Sequence, residues 1–263
     1  MNFLWVIDNT EGELHPEILE FFQSDARIHY HKNPENLGVA AALNLAAYEA
    51  LAKKCTWLLT MDQDSHFLEG DLARLIQQLA NLDHSKIGIF SPKHVHSKAK
   101  RSSSALASFE EVNLTMTSGN LLNLEIFKEV GGFCEKLFID HVDHEYCLRL
   151  RSTGYRVIQS NQVELRHELG KLKTVRIAGK IIFKFISHNP LRGYYMFRNG
   201  LYVAAKYRKK QPFFYSKNIK LLVKEVLKIL IFENKKGKRL NFVFKGIKDY
   251  QKNRFGKLLL KSN

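Results

Sequence analysis

The chain has 263 residues, 45% apolar and 25% charged, which suffices for a buried core and excludes a disordered chain. Its formal net charge of +15 lies entirely in the tail: residues 206–263 carry 18 basic and 3 acidic side chains, while the two signs balance over residues 1–205. Three scattered cysteines (Cys55, Cys134, Cys147) form neither a disulfide framework nor a CxxC zinc pattern and fit a reducing compartment; no apolar run is long enough to cross a membrane, and no secretory leader is visible.

Taken in chain order, residues 2–10 predict a buried strand with Asp8 and Asn9 at its carboxyl end. A helix is predicted over 15–24, a strand over 26–31, a turn over 33–38 and an Ala-rich helix over 39–53. A second buried strand, 55–61, again ends in acids, Asp62 and Asp64. A helix over 70–82 and a strand over 86–91 follow. Residues 112–122 predict a strand broken at Ser118-Gly119-Asn120, then short helices over 124–130 and 142–152 and extended segments over 155–160 and 162–167. Composition shifts near Lys171, and from His188 on the chain is basic, aromatic and helical. Strands alternating with helices predict an α/β parallel sheet, whose ligands bind beyond the carboxyl ends of the strands. Asp8, Asn9, Asp62 and Asp64 all fall there.

Two carboxylates one residue apart at a strand end suit one hard cation, Mg²⁺ or Mn²⁺, which in turn bridges phosphates; a solvated turn is the plain alternative. Asp140, Asp143 and Glu145 form a second acidic group, either helix-capping acids or a general base for an attacking hydroxyl. His167 follows a predicted strand and is a candidate imidazole ligand or phosphate contact, or a packed residue. His94 and His96 lie in a Lys- and Ser-rich stretch, 93–104, that reads as surface or as a lid. Arg192, Tyr194, Tyr195 and Arg198 place cations beside aromatics, either in a core helix or facing a diphosphate or lipid. In the tail, Leu221, Leu222, Val226, Ile229 and Leu230 alternate with Lys220, Lys224 and Lys228, the pattern of an amphipathic helix that packs on the body or lies on an anionic bilayer. No nucleic-acid-binding motif accompanies the charge, so nucleic acid is not expected as a partner.

The ordered series of motifs resembles family 2 glycosyltransferases of the GT-A type, in the bacterial rhamnosyltransferase-like branch. It comprises Val6-Ile-Asp8-Asn9-Thr10, Asn36-Leu-Gly38, Met61-Asp62-Gln-Asp64, Ser118-Gly119-Asn120, Gly131-Gly132-Phe133, Phe138-Ile-Asp140-His-Val-Asp143-His-Glu145, His167-x-x-Gly170, Arg192-x-Tyr194-Tyr195-x-x-Arg198-Asn199 and Lys245-Gly246-Ile-Lys-Asp249. The resemblance implies a Rossmann-like, mostly parallel sheet flanked by helices over 1–187, with a basic helical extension over 188–263. It implies an inverting, metal-dependent enzyme moving a sugar, rhamnose favoured, from a dTDP- or UDP-linked donor to a lipid-linked saccharide on the inner face of the plasma membrane. In that reading Asp143 is the base and Asp62, Asp64 and His167 hold Mg²⁺ or Mn²⁺ and the diphosphate. Asp8, Asn9, Asn36, Gly38, Gly119, Asn120 and Arg198 line the donor pocket. One departure stands out. Members of the family begin with a further strand and helix, and loss of that central strand is expected to expose sheet edges; a catalytically impaired, membrane-associated binding module is the alternative function.

Overall fold

A computed structural model describes residues 3–96, 107–167, 171–177 and 180–259. Two βαβ-like steps open the chain: β1 (Leu4–Asp8), α1 (Pro16–Gln23), β2 (Ile28–Lys32), α2 (Val39–Ala52) and β3 (Trp57–Thr60). Then come β4 (Ser65–Phe67), α3 (Asp71–Ala80), β5 (Ile87–His96), β6 (Phe109–Glu111), β7 (Asn120–Asn123), α4 (Leu124–Val130), α5 (Val142–Ser152) and β8 (Arg156–His167). A hairpin of β9 (Lys171–Ile177) and β10 (Lys180–Ser187) leads to three helices: α6 (Pro190–Tyr207), α7 (Pro212–Phe232) and α8 (Lys236–Gln251).

The α/β architecture expected from the alternation is present. The larger sheet runs β3-β7-β5-β8-β4, with β6 on β8. β5 and β8 are parallel, whereas β7 lies antiparallel between β3 and β5 and β4 is antiparallel to β8. β1 and β2 pair in parallel as a separate two-stranded sheet, and among the described residues β1 and β3 each have a ladder on one side only.

The two faces of the sheet are buried differently. On one, Leu75 and Leu79 of α3 pack against Ile87, Phe90, Leu121 and Ile158. On the other, the small side chains Ala40, Ala47 and Ala50 bring α2 close to Phe127, Phe133, Tyr146 and Leu148, a cluster that also takes in Val203 and Tyr207 of α6. α6 is therefore part of the main core. Its far side carries a smaller cluster: Phe197 with Leu222 and Ile229 of α7 and Val243 of α8.

Several elements depart from the sequence reading. β5 runs on through Pro92 to His96; a proline cannot donate to a ladder, and the register with β8 shifts between Ser91 and Lys93 to accommodate it. The strand expected over 112–122 shrinks to Asn120–Asn123, and β4, β6, β9 and β10 were not anticipated. Gly170 and residues 97–104 of the expected lid lie outside the described residues.

Candidate functional site

Pairing of β4 with β8 sets Ser65 opposite His167, so the turn carrying Asp62 and Asp64 meets a strand end about a hundred residues later in the chain. Asp62, Asp64 and His167 each offer a ligand atom, and these atoms lie within 4.8 Å of one another. His167 Nδ1 is 2.8 Å from Ser65 Oγ and 3.2 Å from Asp64 Oδ1. Ser65 and Asp64 thus bear on the same ring nitrogen and fix the orientation of the imidazole within the cluster. The Asp62 backbone N–H donates to Ser118 Oγ at 3.0 Å. Protein crowded around the Asp62 carboxyl pushes its pKa up, the neighbouring Asp64 carboxylate adds to this, His167 opposes it, and Asp143 adds a further push. Asp143 is therefore within electrostatic reach of the cluster. Two carboxylates whose charges repel, beside an imidazole, are a donor set that suits Mg²⁺ or Mn²⁺.

Asp143 is the second residue of α5 and lines a small cavity together with Thr60, Thr115, Asn120 and Tyr146. Its Oδ1 accepts the His144 backbone N–H at 2.7 Å. The acids on either side of it have other duties. Asp140 is tied to Arg192 Nε at 3.0 Å. Glu145 is fully buried and accepts from Lys206 Nζ (2.7 Å), Arg149 Nη2 (2.9 Å) and the Tyr207 hydroxyl (2.9 Å). Burial alone would raise the Glu145 pKa, but Arg149 and Lys206 hold it below the usual range. Of the three, Asp143 alone faces the cavity.

Gly119 and Asn120 sit where β3 and β7 meet. Gly119 has φ +77°, and a Cβ there would lie 2.8 Å from Leu165 and 3.0 Å from Pro92, so glycine is required on both counts. Asn120 is buried and its Nδ2 donates to Met116 O at 2.6 Å, leaving Oδ1 on the cavity side without a protein partner.

The remaining expected residues form a second group at the end of β1. Asp8 accepts from the Thr10 backbone N–H at 2.7 Å, from the Thr10 hydroxyl, and from the Tyr30 hydroxyl at 2.8 Å. Partial burial works to raise its pKa, but these bonds and Lys32 outweigh that and keep it low. Asn9 Nδ2 donates to Gly38 O at 3.1 Å, and its Oδ1 accepts from Asn33 Nδ2 at 2.9 Å and Leu37 N at 3.3 Å. Asn36 Oδ1 accepts from Gly38 N at 3.0 Å. Asn9 and Asn36 thus hold the 33–38 turn in shape with their own side chains. The end of the turn meets the Asp143 side of the molecule at Phe138, where Val39 N donates to Phe138 O at 2.8 Å and Gly38 lies against the same residue.

Two sequence expectations change. Arg198 is not placed to meet a donor: it is 1% exposed, its guanidinium donates to Leu137 O, Gly256 O, Asn199 Oδ1 and the Tyr194 hydroxyl, and it stacks on Tyr195 at 5.0 Å. Conversely His94 is not a surface residue. Its Nε2 lies 2.7 Å from Ser118 O, burial lowers its pKa, and it feels both His167 and Asp143. The signal that would have found it was the continuation of β5, masked by Pro92.

A sequence profile of glycosyl transferase family 2 matches residues 4–135. The dTDP-rhamnosyl transferase RfbF of Shigella flexneri is 27% identical over 184 residues, 65% of this chain and 61% of that protein, so the chain spans less than two thirds of this relative. Among solved structures, S. aureus TarS 1-349 superposes with a TM-score of 0.56 at 11% identity, over 94% of this chain and 71% of that one. GalNAc-T7 with UDP, GalNAc and Mn²⁺ superposes with a TM-score of 0.52 at 13% identity, over 68% of this chain and 38% of that one. These likenesses show a GT-A fold.

Proposed function

Since the chain belongs to glycosyl transferase family 2, we propose that it transfers a sugar, with rhamnose the favoured one, from a dTDP- or UDP-linked donor to a hydroxyl of a lipid-linked saccharide, inverting the anomeric centre. The observation that carries this reading is the meeting of Asp62, Asp64 and His167 beside Asp143. A donor class is supported by the relative named as a dTDP-rhamnosyl transferase and by the neighbour solved with UDP and Mn²⁺.

In this mechanism Asp143 accepts the proton of the acceptor hydroxyl as its oxygen bonds to the anomeric carbon, and the bond from that carbon to the diphosphate breaks. General bases of this kind contribute about 10²–10⁴-fold. A divalent cation held by Asp62, Asp64 and His167 supplies charge neutralisation for the diphosphate when bound. Ser65 keeps the His167 ring aligned, and Ser118, held against His94 and the Asp62 backbone, fixes the turn between the two acids. Gly119 lets the backbone approach closely where a side chain would collide. Asn9, Asn36 and Gly38 shape the base-binding end, with Asp8 ionised beside them.

Peripheral attachment to the inner face of the plasma membrane belongs to the same proposal; the catalytic unit expected over 1–187 runs on into α6, whose Val203 and Tyr207 are in the main core, and the contact surface lies in the remainder of the 188–263 extension. Leu222 and Ile229 of α7 are buried against α6 and α8, so the packed reading of this helix accounts for one face. A second apolar stripe remains exposed: Phe213, Leu221, Leu227, Leu230 and Ile231, interleaved with exposed Lys217, Lys220 and Lys224. Beside it runs an open groove of about 340 Å³ that includes Lys224, Leu227 and Ile231. An apolar surface interleaved with lysines is one that an anionic bilayer accepts. Among the described residues no helix is long and apolar enough to cross a membrane.

The test is a donor screen, by thermal shift and by product formation, with and without manganese. Asp143→Asn is expected to bind donor as the wild type does and to lose about 10²–10⁴-fold in turnover. Wild-type turnover by that variant removes Asp143 from its role.

A further inference from the structure

The turn that delivers Asp143 is unusual in its backbone. Phe138, Asp140 and His141 have φ of 65°, 60° and 62°, three non-glycine residues of positive φ within four positions, ending where α5 begins. Such conformations persist only where surrounding contacts over-determine them. Here the contacts come from α6. Asn199, wholly buried in α6, directs its Nδ2 at Leu137 O (2.8 Å), Ile139 O (2.7 Å) and Asp140 O (3.0 Å). Two N–H bonds are thus shared among three carbonyls of the turn. The opposite end of the amide is fixed as well, because Arg198 Nε donates to Asn199 Oδ1 at 2.9 Å, so the amide cannot flip without setting its oxygen against three others. Arg198 Nη2 adds a bond to Leu137 O at 3.1 Å. The one carbonyl of the turn that Asn199 does not take, Phe138 O, is taken by Val39 N.

We propose that Asn199 is a positioning residue: by gripping the carbonyls of the turn, with Arg198 orienting its amide, it sets where Asp143 stands relative to the Asp62–Asp64–His167 cluster. This rests on the role given above to Asp143. Asn199 contributes donors and no contact with substrate, so its loss acts on turnover and leaves donor affinity alone. Misplacing a catalytic group by about 1 Å costs about 100-fold.

The experiment compares wild type, Asn199→Ala and Asn199→Asp. Turnover is measured at saturating donor, donor affinity by calorimetry, and hydrogen exchange of the segment 137–145 by mass spectrometry. Asn199→Ala is expected to lose about 100-fold in kcat, to keep donor Kd within about twofold, and to exchange faster in that segment. Asn199→Asp keeps the shape and removes the donors, so it is expected to be worse than alanine; a role in packing alone gives the reverse order. If neither folds, Asn199→Gln, which keeps the amide on a longer arm, is expected to show the same split of kcat from Kd. A variant with kcat within twofold of wild type, or with donor affinity falling in step with kcat, overturns the proposal. Exchange does not depend on turnover. A wild type inert toward every donor sinks the enzymatic reading, whereas unchanged exchange in Asn199→Ala sinks the clamp.

Discussion

Replacing His141 by asparagine is expected to flatten the acid side of the stability profile. The His141 ring is wedged between α5 and α6: its Nδ1 lies 3.1 Å from His144 Nδ1, and a Cβ on Gly200 would come within 3.1 Å of its Nε2. Desolvation, with His144 alongside, pushes its pKa down from 6.5 to about 3. The unfolded chain therefore takes up a proton near pH 6.5 that the folded chain refuses until about pH 3, and within that window the unfolded state binds more protons. Stability from this residue is complete above the unfolded value and drains away as pH falls toward the folded one, at about 1.4 kcal/mol per pH unit. At about pH 5 the loss is about 2 kcal/mol. His188, pushed down to about 4, and His94 drain in the same direction, so the wild-type profile alone does not isolate His141. The variant does, because asparagine is neutral throughout and tolerates the left-handed backbone at this position. Urea unfolding at about pH 7 and about pH 5 reads the difference between the two proteins. Curves that run parallel across that interval would refute the reasoning, since the ring would then be protonated in the fold as easily as outside it.

Three other outcomes follow from the same geometry. Asp64→Ala is expected to weaken manganese-dependent donor binding by at least the roughly 10–100-fold that loss of an outer-shell partner costs a metal site; unchanged affinity in titration calorimetry argues against the cation site. Gly38→Ala places a Cβ 2.5 Å from Phe138 O on a backbone with φ +87° and ψ 171°, a region essentially reserved for glycine, so backbone strain of about 1–3 kcal/mol adds to overpacking of about 1–3 kcal/mol. A melting temperature equal to that of wild type contradicts this. For the tail, Leu227→Glu with Ile231→Glu is expected to abolish co-sedimentation with vesicles rich in anionic lipid, and wild-type binding is expected to fall with salt. Wild-type binding that ignores the anionic fraction rules out the membrane surface.

Much of the scaffold was legible because its signals are local. The Ala-rich run of α2 carries its own instructions, and α2 and α4 fall where the sequence places them. The apolar run ending in Asp62 and Asp64 announces β3, and the placing of acids beyond its carboxyl end needs only the logic of α/β sheets. What escaped is non-local. β4 is three residues long and is a strand only because Ser65–Phe67 finds Leu165–His167. β7 is fully buried on both faces, so its four residues show no alternation, and its antiparallel insertion between β3 and β5 is a matter of pairing. The β9–β10 hairpin registered as a change in composition alone, since lysines interrupt both strands.

The acidic segment before and within α5 shows why the site was only half legible. Asp140, Asp143 and Glu145 occur within six residues and have the same chemistry on paper. In the fold they meet three different environments. Glu145 is enclosed by Arg149, Lys206 and Tyr207, a buried network whose charge is spent on holding α5 to α6. Asp140 is tied to Arg192 on a turn of positive φ. Asp143 alone faces the cavity and pushes on Asp62. What separates them is supplied from elsewhere in the chain: α6 provides Arg192, Asn199, Lys206 and Tyr207, some 50 to 60 residues downstream. The motif of arginines and aromatics in α6, a candidate surface for phosphate when read alone, therefore packs behind this segment and holds it in place. It sorts three equivalent carboxylates into one strut, one tether and one that faces the cavity.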